Sequence, residues 1–395
     1  MSSSITHEEV PITSLVFNIT EACNLRCTYC HLDHYPKRSN FEVAKAAIDF
    51  LIAESRNSRN VFFRFFGGEP LLELSLIEKT VEYGRMKSEQ SGKHISFDMI
   101  SNVTLLETDV INKLKQLGVS IIASIDGTRT TMEKNRPFAN RKCTYDQFEI
   151  KLSQGIYSRI IKMARMTISP EKTSITDDLQ YLVNLGFDQI MLSLANNVAW
   201  DFSRIDTLYD EIKEFYITLA SKGVVPPLLD TNRLLIRKHA IGRGNYREYI
   251  EGFCNAGKST LGVSEDGDLY PCHRFVQLGK QFALGSVFNG IDKESRKYFL
   301  SIGTKSLHPD KCKDCNALKY CKGSCMAFNA TGTGNILIPE ESYCKGLQKH
   351  VDIVEDIYEM LIQQKNKIFI DFLEDSYERE QTSLLRQLLD ETEES

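Results

Sequence analysis

Three cysteines, Cys23, Cys27 and Cys30, lie at spacing C-x3-C-x2-C directly after the apolar run Ser14-Leu15-Val16-Phe17-Asn18-Ile19-Thr20. A loop that leaves the end of a strand with this spacing points three thiols into one small volume. Thiolates are soft ligands suited to iron–sulfur clusters or to zinc. A structural zinc site wants four protein ligands, and this loop offers three. A cube of four irons held by three cysteines keeps one iron free for a substrate or cofactor. A zinc knuckle completed by a ligand from elsewhere is the competing reading, and on it the chain would be a zinc-stabilised, non-catalytic binding protein.

The loop has to be held by a framework, and residues 13 to about 195 supply one. Strand-like runs at Thr13 to Ile19, Asn60 to Phe66, Ile95 to Ser101, Val119 to Ile125, Met163 to Ile168 and Gln189 to Leu194 alternate with amphipathic stretches. These stretches lie near Phe41 to Ser55, Leu74 to Met86, Thr108 to Leu117, Tyr145 to Ser158 and Ser174 to Leu185. Strands alternating with helices imply a parallel sheet with right-handed crossovers. Apolar runs such as Val61-Phe62-Phe63 and Ile121-Ile122-Ala123 fit a sheet buried on both faces. Ligands then belong at the carboxyl ends of the strands, where the three-cysteine loop falls. From Trp200 to about Gly252 the pattern turns helical and charged, with Leu208, Ile212, Phe215, Tyr216 and Leu219 at core-packing spacing. The basic run Arg233, Arg237, Lys238, His239, Arg243 and Arg247 reads first as a solvated face, and second as a face that could hold an acidic peptide.

With 395 residues, 42% hydrophobic and 26% charged, the chain can bury a sizeable core. A formal net charge of -5 gives no general attraction to nucleic acid or to anionic membrane. No stretch approaches the ~20 apolar residues that span a bilayer, and the first residues lack a signal-peptide pattern. We therefore expect a cytoplasmic protein with no nucleic-acid or membrane partner. The 11 cysteines, in a reducing compartment, point to metal or redox chemistry rather than to disulfides.

The C-x3-C-x2-C loop, with Tyr29 before its last cysteine, resembles that of the radical S-adenosylmethionine (SAM) superfamily. The resemblance selects a partial (β/α)6 TIM barrel and implies a [4Fe–4S] cluster on Cys23, Cys27 and Cys30 whose free iron binds SAM. Gly67-Gly68-Glu69-Pro70 after the second strand resembles the family motif for the SAM amino group. Two glycines allow close backbone approach, and a carboxylate can accept from an amine. Asn102 stands where relatives often read Thr-Asn-Gly, with Val103 in place of the glycine, and is assigned a SAM or ribose contact. Ser124 is expected at the SAM carboxylate or ribose. Asp126 is expected either to shape the active site or to serve as a turn residue before Gly127. Arg165, on the fifth strand, needs an anionic partner, either the methionine carboxylate of SAM or a neighbouring acid. Arg136 lies between these positions.

Seven further cysteines read Cys254-x12-Gly267-x4-Cys272, then Cys312-x2-Cys315-x5-Cys321-x3-Cys325, then Cys344. This resembles the SPASM extension of radical SAM enzymes, a cysteine-rich domain of small β-hairpins and helices. The resemblance implies two auxiliary [4Fe–4S] clusters, three clusters in all. The outer would sit on Cys312, Cys315, Cys321 and Cys344, and the inner on Cys254, Cys272 and Cys325. No cysteine precedes Cys254 back to Cys143, which lies in the barrel half and reads as a packing cysteine, so the inner cluster is expected to have an open iron or a non-cysteine ligand such as His273. The segment Leu269 to Val276, followed by Phe282-Ala283-Leu284-Gly285-Ser286-Val287, resembles the corresponding region of maturases of ribosomally synthesised peptides, notably thioether-forming ones. Anaerobic sulfatase maturases, the alternative, usually place an Asp where His273 stands.

The organisation expected is an extension over 1–12, the partial barrel over 13–200, a helical bridge over 201–250, the auxiliary-cluster domain over 251–345 and a helical tail over 346–395. Val351, Ile353, Val354, Ile357, Met360 and Leu361 form the tail's apolar face, and residues 390–395 are expected to fray. Only about a dozen residues precede the first strand. The partners expected are a precursor peptide, a separate leader-peptide recognition protein, and an electron donor such as flavodoxin or ferredoxin.

Overall fold

The structure, a computed structural model, describes residues 10–140, 145, 149, 160–172, 174–196, 198–244, 254–307, 309–321 and 323–379. The helix expected over Tyr145 to Ser158 lies outside the described residues except at Tyr145 and Glu149, as do Cys143, Arg247 and the end of the tail.

Six parallel strands run in sequence order across the sheet: β1 (Ser14–Thr20), β2 (Asn60–Gly67), β3 (His94–Ser101), β4 (Val119–Ser124), β5 (Ile161–Ile168) and β6 (Gln189–Leu194). Each begins and ends within about two residues of the sequence expectation, because every run is a short apolar block bounded by polar or glycine residues. In β1, Leu15, Phe17 and Ile19 have no exposure and pack beneath helix α1 (Phe41–Glu54). Helix α1 starts cleanly because the Asn40 side chain accepts from the Val43 amide, and it buries Val43, Ala44, Ala47, Ile48 and Leu51. Beside it lies α2 (Leu74–Ser91), whose Gly84 sits where a Cβ would come within 2.7 Å of the Phe97 ring. That glycine lets α2 approach β3 closely.

The sheet does not stop at six strands. β7 (Thr260–Val263) pairs parallel to β1, with Leu15 opposite Leu261, and β8 (Leu269–Tyr270) returns antiparallel to β7. The order is β6-β5-β4-β3-β2-β1-β7-β8. The cysteine-rich half is thereby joined to the barrel through its first strand. Gly262 permits the junction, since a Cβ there would lie 2.4 Å from the backbone of Cys272. A second small hairpin, β9 (Gly285–Ser286) with β10 (Gly290–Ile291), follows. Helices Phe202–Ser221, Leu229–Gly242 and Glu341–Gln363 pack together against the β6 edge. The predicted apolar stripe Leu208, Ile212, Phe215, Tyr216 and Leu219 is buried, as are Val351, Ile353, Val354, Ile357 and Leu361, while Met360 faces out. Among the described residues no helix is long and apolar enough to cross a membrane.

Candidate active site

The three-cysteine loop is held at its entry by the turn that follows β2. The Gly68 amide donates to the Thr20 carbonyl at 2.7 Å and the Glu69 amide to the Ala22 carbonyl at 2.9 Å, one residue before Cys23. A Cβ on Gly67 would lie 2.1 Å from the Thr20 oxygen, and one on Gly68 2.2 Å from the Ala22 oxygen. The glycine pair therefore lets the two strand ends touch, in addition to leaving no side chain in the cleft that both residues line.

Glu69 departs from its simplest expectation. Its carboxylate turns inward, fully buried, where Oε1 accepts from the Leu71 amide and the Ser101 hydroxyl and Oε2 accepts from the Asn102 amide at 2.7 Å. Burial pushes its pKa up to about 7, against the pull of those donors. The side chain braces the end of β3 against the turn, and Pro70 opens the short 3-10 segment behind it. Asn102 in turn donates to Asn24 at 2.8 Å and approaches the Cys23 sulfur at 3.8 Å. Val103, where relatives carry glycine, keeps a left-handed backbone at φ 57 although it is β-branched and buried, a conformation that costs roughly 1–2 kcal/mol.

The exit of the loop is tied down by Asp126. Its buried carboxylate accepts from the Tyr29 hydroxyl, from Arg136 Nη2 at 2.9 Å, from the Thr167 amide at 2.9 Å and from Asn135 at 3.3 Å. Arg136 lies over the Tyr29 ring and reaches the Cys27 sulfur at 3.8 Å. Asp126 thus shapes the site from behind, and is not among the residues lining the cleft. Burial raises the Cys23 thiol to about 11 and Cys27 to about 12, so ligation of a metal must displace their protons.

The cleft itself is formed at the carboxyl ends of β2 to β6. Cys23, Cys27, Cys30, Tyr29, Gly67, Gly68, Asn102, Ser124 and Arg165 all line it. Among the described residues, no carboxylate stands within ion-pair distance of Arg165, although Asp126 acts on it from behind the site. The Arg165 Nε has no hydrogen-bond partner among the described residues, and burial together with Arg274 and Arg136 lowers its pKa to about 10. A buried guanidinium in that state fits an anionic ligand. The sequence reading did not single out His31, Thr167, Ser193, Asn196 or Phe328, which share the cleft. Their only signal is position, at strand ends or beside a cysteine. His273 also faces the cleft, its ring 4.3 Å from that of Phe66.

The later cysteines gather in two places. Cys312, Cys315, Cys321 and Cys344 line one cavity, where Gln348 donates to Cys315 and the Gly323 amide to Cys321. Cys254, Cys272 and Cys325 lie close enough to act on one another's ionisation. Among the described residues, no three His, Cys, Asp or Glu side chains converge on one point as ligands of a single ion would.

A cofactor-binding enzyme built on an open parallel sheet, with soft-metal ligands at the strand ends, is the class this arrangement defines. Residues 17–151, which hold the three-cysteine loop and the Gly67-Gly68 turn, match the Radical SAM superfamily model, a match that implies SAM and a [4Fe–4S] cluster. The chain is 23% identical over 388 residues to the radical SAM cyclopropyl synthase TigE of Paramaledivibacter caminithermalis, covering 92% of this chain and 76% of that one. It is 23% identical over 386 residues to a cysteine-type anaerobic sulfatase-maturating enzyme of Clostridium perfringens (strain ATCC 13124), covering 91% and 99%. Its fold matches a solved structure of native anSMEcpe with bound AdoMet and Cp18Cys peptide, with TM-score 0.71 and 19% identity over 90% of this chain and 99% of that chain.

Proposed function

We propose that this chain is a peptide maturase that removes a hydrogen atom from a precursor peptide and so leads to a crosslink, an excision or an oxidation. The observation that carries the reading is the cleft in which three thiols, a glycine pair and the buried Arg165, its Nε without a hydrogen-bond partner among the described residues, meet at the strand ends. Cys23, Cys27 and Cys30 would hold a [4Fe–4S] cluster. Arg165 and Ser124 would hold the SAM carboxylate, with Gly67 and Gly68 at its amino end. When bound, cluster and SAM supply the 5′-deoxyadenosyl radical that takes the substrate hydrogen. Asn102 and Arg136 set the electrostatics of the loop by approaching two of its sulfurs. Tyr29 fixes the loop through Asp126.

Two auxiliary clusters, making three, complete the proposal: an outer one on Cys312, Cys315, Cys321 and Cys344, and an inner one on Cys254, Cys272 and Cys325. The packing of His273 against Phe66 supports a role for that residue in the cleft rather than as fourth ligand of the inner cluster. A separate leader-peptide recognition protein, a flavodoxin- or ferredoxin-type donor and a cytoplasmic location belong to the same reading, as does the division of the chain at about 200, 250 and 345. The experiment is coexpression with each short open reading frame found beside the gene, followed by mass spectrometry of its peptide. A loss of two hydrogens, or a larger excision, supports maturation. An unaltered peptide in cells where the enzyme cleaves SAM would refute it.

A further inference from the structure

A second and larger cavity opens beside the cofactor cleft. Ser193, Leu194, Asn196, Arg274 and Phe328 line both, so the two spaces adjoin. Three guanidiniums reach the second cavity. Arg233 and Arg237 sit one helical turn apart on the helix Leu229–Gly242, and Arg274 follows Cys272 and lies 3.9 Å over the Phe328 ring.

Among the described residues, the rest of the basic run is already matched. Lys238 pairs with Glu355, His239 meets Tyr358 and Glu374, and Arg243 pairs with Glu374. Arg237 donates to the Tyr320 carbonyl at 3.1 Å. For Arg233 and Arg274, no carboxylate stands within ion-pair distance among the described residues. Among the described residues the cavity has one carboxylate, Asp230, which burial pushes up in pKa while Arg233 and a Leu192 backbone bond pull it down; it offsets part of the charge of Arg233, and Arg233 with Arg274 still outnumber it. His350 is held by Thr231 at 3.0 Å, and burial lowers it to about 4, which leaves it neutral. Leu192, Leu234, Leu347 and Tyr209 supply apolar wall. A low-dielectric wall carrying surplus guanidinium calls for a carboxylate, which guanidinium binds in a bidentate fork.

We propose that this cavity seats the substrate peptide by an acidic side chain, gripped by Arg233 and Arg274 and flanked by apolar residues, beside the carbon that loses its hydrogen. The proposal rests on the maturase reading and assigns that site its substrate class: a peptide with Asp or Glu in an apolar context. It gives part of the basic run a function, while Lys238, His239 and Arg243 remain packing and surface partners.

The test uses cluster-reconstituted enzyme with SAM and titrates N-acetylated, C-amidated Leu-Glu-Phe, Leu-Gln-Phe and Leu-Lys-Phe by calorimetry, with Leu-Gln-Phe bearing a free C-terminal carboxylate as a fourth probe. The Glu peptide is expected to bind about tenfold tighter than the Gln peptide. Arg233→Gln should remove that preference, and Arg233→Glu should turn it toward the Lys peptide, an inversion that a structural role would not produce. Arg233 is exposed, so both variants should fold. Equal binding of the Glu and Gln amides, binding of neither, a preference that survives Arg233→Glu, or tight binding of the free-acid Gln peptide alone would each overturn the proposal. SAM cleavage by the same wild-type preparation is read separately. If it persists without discrimination, this inference falls and the radical chemistry stands. If discrimination is present without SAM cleavage, the radical reading falls and the anion-binding pocket stands.

Discussion

Replacing Asp126 by alanine should loosen the cysteine loop without touching a thiol. The carboxylate is fully buried, its partner Arg136 is nearly so, and removing one member of such a pair costs about 3–5 kcal/mol because the other charge stays buried and unpaired. The Tyr29 hydroxyl and the Thr167 amide lose their acceptor as well, at ~1–3 kcal/mol for each buried group. These losses share one carboxylate and do not add in full, so the expected total is about 5 kcal/mol. At ~2–4 °C per kcal/mol, the melting temperature should fall by on the order of 10 °C, read by anaerobic differential scanning fluorimetry of reconstituted enzyme. Asp126→Asn keeps an acceptor for Arg136 and Thr167 and should lie between wild type and alanine. Because Tyr29 stands between Cys27 and Cys30, the alanine variant should also lose about one cluster, ~4 irons per chain, in an iron assay. A variant with wild-type melting and full iron content would refute the view that Asp126 anchors the loop.

Other perturbations follow from neighbouring contacts. Gly68→Ala would set a Cβ 2.2 Å from the Ala22 carbonyl, and should part the β1 and β2 ends and reduce iron uptake on reconstitution. Glu69→Gln turns an amide NH2 toward the Asn102 amide and should cost ~1–3 kcal/mol in urea unfolding. Since burial raises Glu69 from 4.5 to about 7, its contribution is fully present below the ordinary carboxylate range and is lost as pH rises through 7, so the wild-type advantage over Gln should be larger at pH 5 than at pH 8. Arg165→Gln should weaken SAM binding by about tenfold or more in equilibrium dialysis, the value of one charge-assisted hydrogen bond.

The six parallel strands were legible because each is a self-contained apolar block, and alternation with helices fixes their sense. β7 was not, because four residues carry little pattern and its partner β1 lies more than two hundred residues earlier in the chain. The cysteines and Gly67-Gly68 were legible from spacing. What spacing could not give was direction: the Glu69 carboxylate turns from the cleft onto backbone donors, and Asp126 stands behind the site. Such outcomes depend on which amides a fold leaves unsatisfied, and only the assembled strand ends reveal that. Arg233 and Arg274 show the same limit, since whether a cation is matched depends on contacts made across the chain.

Reductive cleavage of SAM tests the central claim most directly. Anaerobically reconstituted wild-type enzyme, given dithionite and SAM, should form 5′-deoxyadenosine and methionine, and Cys23→Ala prepared in parallel should form neither. Undiminished 5′-deoxyadenosine from Cys23→Ala would contradict the assignment of the loop, and its absence from iron-replete wild type would contradict the radical chemistry itself.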